Sequence, residues 1–224
     1  MDLPPPPSAP CAIATEIRPW TAQNDPGVFP GAAAQAASAP ERQPSTDYRH
    51  QLKPTPAGWP TQAHWCVWIE PVRDNGPTGI WEQRWFQAVN HALDTWQRHL
   101  PITLVDQPER AQVIVERRRP PRLNNRASHG RAVLELVEVQ RQGRWQLEPK
   151  VTVLISPGQA QPAIQATALH ELGHAFGLWG HSDQAGDAMG VKPSATPILE
   201  LSPRDQKTLQ WLQQQPRLQP PTTR

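Results

Sequence analysis

The sequence predicts an α+β fold, and three features of the chain carry that expectation. Short apolar runs over residues 65–69, 102–105, 112–116, 131–139 and 151–155 have the length and β-branched content of strands. Two longer stretches, 80–99 and 162–176, read as helices. The 28 prolines crowd toward the two ends, leaving residues 59–215 as the part able to build a core.

Residues 1–58 are rich in Pro, Ala, Ser and Gln, with few large apolar side chains. Such a segment cannot bury enough surface to offset its ordering entropy, so it is expected to be a flexible, removable tail. A Pro-rich ligand for a partner's aromatic groove is the functional alternative. Residues 65–69 (Trp-Cys-Val-Trp-Ile) form a strand that stops before Pro71, with Cys66 buried in it. Trp81, Trp85, Ala88, Val89, Ala92, Leu93 and Trp96 recur at helical spacing and predict a core-packing face. Two short strands follow. Residues 131–139 alternate with period two and carry charges on both faces, as an exposed edge strand does. Residues 151–155 form a continuous apolar strand closed by Ser156-Pro157-Gly158. The next helix opens near Pro162, a favourable first-turn residue, and ends near Phe176. Ser202-Pro203-Arg204-Asp205 supplies an N-cap, a first-turn proline and an acidic capping partner for a short helix to about Gln214. Residues 216–224 are expected to be disordered.

The formal charge of +2 is nearly balanced. The basic run Arg117-Arg118-Arg119-Pro120-Pro121-Arg122 has no interleaved aromatics, so it reads as a solvated loop and no nucleic-acid partner is expected. No transmembrane segment and no signal peptide are visible. Cys11 and Cys66 are the only cysteines; two do not make a disulfide framework or fix the redox compartment. His50, His64, His91, His99 and His129 show no ligand spacing.

His170-Glu171-Leu172-Gly173-His174 is different. Histidines four apart share one helix face and can bind a single metal ion. Glu171 then projects beside the open coordination position, where a general base is needed to take a proton from water. Gly177 is a natural left-handed stop after that helix, which lets the chain turn back under the site. His181 can return as a third ligand. Asp183 is the alternative, because carboxylate also ligates zinc.

The stretch from His170 to His181, with Asp187-Ala188-Met189 after it, resembles the metzincin zinc peptidases and their H-E-x-x-H-x-x-G-x-x-H motif and Met-turn. The loop here is one residue longer, since Leu178, Trp179 and Gly180 separate Gly177 from His181. Glycine's backbone freedom at Gly180 can absorb that residue. With Trp179 and the Ser-Pro-Arg-Asp helix start, the likeness is to small bacterial, especially cyanobacterial, matrixin-like peptidases. The resemblance implies a metzincin-like zincin fold over residues 59–215. Its parts would be a twisted five-stranded mixed sheet, two long helices including the active-site helix, a Met-turn and a short C-terminal helix. It further implies Zn²⁺ on His170, His174 and His181, Glu171 as catalytic base, and endopeptidase action on a protein or peptide substrate. By the same likeness, the edge strand at 131–139 would dock the substrate backbone, and the compartment would be extracellular or periplasmic. Cys11 would be a candidate latency switch on the metal. Astacin-like members add a Tyr two residues past the Met, but here that position is Val191, and the only Tyr, Tyr48, falls in the N-terminal segment. The competing classes are a catalytically silent zinc-binding module with an interaction tail, and another zinc amidohydrolase acting on cell-wall peptides.

Overall fold

The computed structural model describes residues 11–20, 45–73, 76, 79–122, 127–141, 143–191 and 196–219. The described elements are β1 (Glu16–Pro19), β2 (Trp65–Ile69), α1 (Gly79–Gln97), β3 (Ile102–Leu104), β4 (Val113–Glu116), β5 (Gly130–Arg141), β6 (Arg144–Ile155), α2 (Gln161–Ala175) and α3 (Pro203–Gln213). Short 3₁₀ turns occur at Arg49–Gln51 and Pro108–Arg110. One mixed sheet runs in the order β1-β5-β6-β4-β2-β3. Strands β3, β2, β4 and β6 are mutually parallel along it, whereas β5 is antiparallel to β6 and β1 antiparallel to β5.

The interior parallel strands carry the core, with Val67, Val113, Val115, Val151 and Val153 fully enclosed, whereas β3 at the sheet edge is partly exposed. Helix α2 packs on β5 and β6, and α1 packs against α2. Trp85 and Trp96 are fully buried from α1, yet neither leaves its indole N–H unpaired. Trp85 donates to the Ile155 carbonyl at 3.2 Å and Trp96 to the Leu169 carbonyl at 3.0 Å. Trp96 thereby clamps α1 onto α2 one residue before the first histidine of the motif. Trp81, expected on the same apolar stripe, is instead exposed, with the Arg84 guanidinium 4.4 Å over its ring.

Four expectations need correction. The sheet has six strands rather than five, because residues 11–20 supply β1. The flexible-tail expectation for residues 1–58 therefore does not hold for residues 11–20 and 45–58. Cys11 is disulfide-bonded to Cys66 in β2, β1 pairs with the 137–140 end of β5, and Tyr48 is completely buried. A cross-link and a few directed hydrogen bonds here replace the apolar area that the composition lacks. The rest of that range lies outside the described residues. The same disulfide occupies the Cys11 sulfur, which removes it as a latency ligand in this form. Third, β5 is an edge only in part. Its outer side is covered by β1 from Val137 to Gln140, and the Trp20 N–H donates to the Leu136 carbonyl at 3.0 Å. Arg18 stands opposite Glu138, so the charges that suggested a solvent-facing edge are partly met by the added strand. Fourth, residues 216–219 are not a disordered end: Arg217 bridges Trp59, and the Gln219 N–H donates to the Ala57 carbonyl. Residues 220–224 lie outside the described residues.

Among the described residues no helix is long and apolar enough to cross a membrane.

Candidate metal centre

Helix α2 positions the first part of the site. It begins with Pro162 in its first turn and ends at Ala175, after which Gly177 takes a positive φ of 105°. The Leu178 N–H then donates back to the Gly173 carbonyl at 3.0 Å, closing the helix end and turning the chain beneath it. His170 and His174 share one face of this helix, and the turn returns His181 to them. The three ring centroids lie 4.8–5.2 Å apart. One ligand atom from each histidine falls within 4.8 Å of the others.

The tautomers follow from the backbone. His170 Nδ1 lies 2.8 Å from the Ala188 carbonyl oxygen, and His174 Nδ1 lies 2.8 Å from that of Leu178. A carbonyl can only accept, so both Nδ1 atoms carry the proton and each Nε2 presents a lone pair. His174 Nε2 is 3.2 Å from His181 Nε2, so the lone pair of His174 points into the space between the rings. Burial holds all three imidazoles below their ordinary pKa: His170 is lowered, His174 well lowered, and His181 depressed to about 4. Neutral, oriented imidazoles converging on one point fit a divalent cation of borderline softness such as zinc.

Glu171 sits on the β5 side of the helix. Its carboxyl is pushed up to about 8, chiefly by burial, with a hydrogen bond to the Ala132 backbone and the charge of Arg131 opposing the rise. Gly130 makes this approach possible. A methyl group there would lie 2.5 Å from the Thr167 side chain and 2.6 Å from that of Glu171.

Met189 packs on α2 at Gly173, the residue before His174. It is fully buried against α2, and any side chain at Gly173 would overlap its sulfur. The turn that carries Met189 is tied to the third histidine, because the Ser182 N–H donates to the Met189 carbonyl at 2.7 Å. It is tied to α3 through Asp205, whose carboxylate accepts the Ala188 N–H at 2.8 Å and the Met189 N–H at 3.4 Å. Asp205 also completes the capping box with Ser202.

Asp183 does not join the histidines. Its carboxylate is held by Arg204 at 2.8 Å, which lowers its pKa and keeps it half-exposed on the surface. Val191 brings no hydroxyl to the site. Gly180 has a different task from the one its sequence position suggests. Its φ is not in the left-handed region; the missing side chain instead allows contact with the backbone of Gln51 and Leu52. Sequence reasoning missed Tyr48 and the stacking of Trp179 on His174, with centroids 5.5 Å apart and planes 21° from parallel. It read Asp205 only as a helix cap. A lone tyrosine in a Pro-rich segment was the available signal for Tyr48.

A second grouping of possible ligand atoms, Cys11, His64 and Cys66, has both sulfurs committed to the disulfide. No protein-family model and no curated protein matches this sequence.

Proposed function

We propose that this chain is a zinc-dependent endopeptidase of the metzincin type. The observation that carries the reading is the convergence of three imidazoles, two of them oriented by backbone carbonyls, beside a half-buried glutamate that faces β5. His170, His174 and His181 would hold the ion. Bound zinc supplies Lewis acidity, which polarises a scissile carbonyl and makes water acidic near neutral pH.

The chain's own groups do the rest. Glu171 takes the proton from the attacking water and passes it to the leaving amine. Ala188 and Leu178 hold the imidazoles in the ligating tautomer through their carbonyls. Among the described residues, no strand covers the outer side of β5 between Gly130 and Glu135. An extended peptide lying there would add its backbone to the sheet directly above Glu171. The disulfide supports an oxidising compartment, in keeping with a secreted or periplasmic peptidase.

The test pairs metal analysis with a peptide-library cleavage assay on the parent chain and on Glu171→Gln. Both proteins should hold one zinc, and the variant should lose about 10²–10⁴-fold in kcat/KM. A zinc-loaded parent that cleaves no peptide would make the chain a silent binding module. Near-parental turnover in Glu171→Gln would remove the proposed base.

A further inference from the structure

We propose that residues 48–53, which lie between β1 and β2 in sequence, are a positioning segment for the metal centre and support each of its three imidazoles by a separate route. The inference rests on the reading of His170, His174 and His181 as ligands.

The first route starts at Tyr48. Its hydroxyl donates to Asp205 Oδ1 at 2.7 Å, and its backbone N–H donates to Thr208 Oγ1 at 3.1 Å. Burial and the neighbouring carboxylate push the phenol's pKa far up, so Tyr48 stays a donor at every working pH. Asp205, itself fully buried, holds the Ala188 and Met189 N–H groups, and the Ala188 carbonyl orients His170. Tyr48 is thus three hydrogen bonds from the first imidazole.

The second route runs through Lys53. Its N–H donates to the Trp179 carbonyl at 3.0 Å, and the Trp179 indole lies stacked on His174. The third route is steric. Gly180, immediately before His181, packs on the backbone of Gln51 and Leu52 so closely that a single methyl group would overlap the Gln51 carbonyl.

These three contacts fall on the loop and the turn that carry or back the ligands, and they come from six consecutive residues. The chemistry explains why such a support is useful. A ligand on a loop is only as well placed as the backbone behind it, and outer-shell partners commonly alter metal affinity about 10–100-fold. The loop from Gly177 to His181 has only short-range bonds of its own, such as Trp179 N–H to Gly177 O and Gly180 N–H to Leu178 O. Residues 48–53 give it an external stop.

The experiment uses the full chain with its metal exchanged for cobalt(II), whose visible absorption reports coordination number and geometry. Tyr48→Phe removes one oxygen, Lys53→Pro removes one donor, and Gly180→Ala adds one methyl. Each is read for its cobalt spectrum and zinc dissociation constant, at a temperature where its circular dichroism equals the parent's. The expected result is a zinc dissociation constant raised about tenfold or more, together with a changed visible spectrum. Variants with lower Tm but parental spectrum and zinc affinity would overturn the proposal, leaving the segment a purely structural element. A parent chain that binds no cobalt would overturn both this proposal and the functional reading beneath it. Tyr48→Phe is the decisive variant if the other two fail to fold.

Discussion

Around α1 and α2, side chains such as Trp85, Trp96, Leu169 and Phe176 are buried against many neighbours at once, whereas residues 11–20 and 45–59 reach the core through fewer side chains, chiefly Tyr48 and Leu52. In the first region the stabilisation is spread over apolar area and dispersion, and each contact is backed by others. In the second it leans on one disulfide, a four-residue strand, the hydroxyl of Tyr48 on a buried carboxylate and the burial of Tyr48 and Leu52. The two arrangements fail differently. A spread-out core loses stability in proportion to what is removed, while a point-anchored segment is lost when one anchor goes. The N-terminal segment also touches the loop that carries His181, so its failure would reach the three histidines as well as the core.

Deleting residues 1–58 is the harshest way to break this comparison. It removes the disulfide, β1 and Tyr48 together, and should take away most of the roughly 5–15 kcal/mol that keeps a domain folded. Urea denaturation of the truncated chain measures this. A midpoint equal to the parent's would mean that the point anchors carry no stability.

A milder pair of changes sharpens the contrast. Trp96→Ala should cost about 3–5 kcal/mol through a core cavity and a lost N–H donor, with β1 still in place. Replacing both Cys11 and Cys66 by Ser should cost about 2–4 kcal/mol, since the cross-link spans a long loop. Amide hydrogen exchange tells the two apart. The core variant should raise exchange everywhere, while the disulfide variant should raise it first in β1 and the outer edge of β5. The same exchange pattern for both would erase the distinction.

The smallest effect is a pH dependence of the metal-free protein. The three imidazoles have folded pKa values below their unfolded ones, so between about 4 and 6.5 the unfolded chain binds more protons and stability rises with pH. Glu171 has the opposite sign. Its folded value of about 8 exceeds the unfolded value of 4.5, so it lowers stability as pH rises through that interval. Three groups outweigh one below 6.5, and of these four only Glu171 titrates above it. Denaturant midpoints of the metal-free chain should therefore peak near pH 6.5. A midpoint that climbs steadily to pH 8 would contradict the buried carboxyl.

What the sequence made legible was local. The His170–His174 spacing, the stop at Gly177 and the Ser202–Asp205 cap each act within a few residues, and each occurs at its expected place. Strands β2 and β4 were legible because burial in the sheet interior demands an apolar run. Strand β1 was not, since Glu-Ile-Arg-Pro is exposed at every position and finds its register from Cys11 and β5 rather than from its own pattern. The first half of β6 was hidden by Pro149 and by alternating polar residues, which are tolerated because twelve residues of β5 pair along it. Tyr48 and Asp205 meet across 157 positions, a separation at which neither periodicity nor propensity carries information.

The Cys11–Cys66 bond closes residues 11–66 into a covalent ring. Any single proteolytic cut within that ring would leave both pieces attached to one another. A molecule nicked there would run as one band on a non-reducing gel and as two after a thiol is added. Maturation by cleavage in the ring would therefore release no N-terminal fragment until the bond itself was reduced, and mass spectrometry of the intact protein would record only the added water.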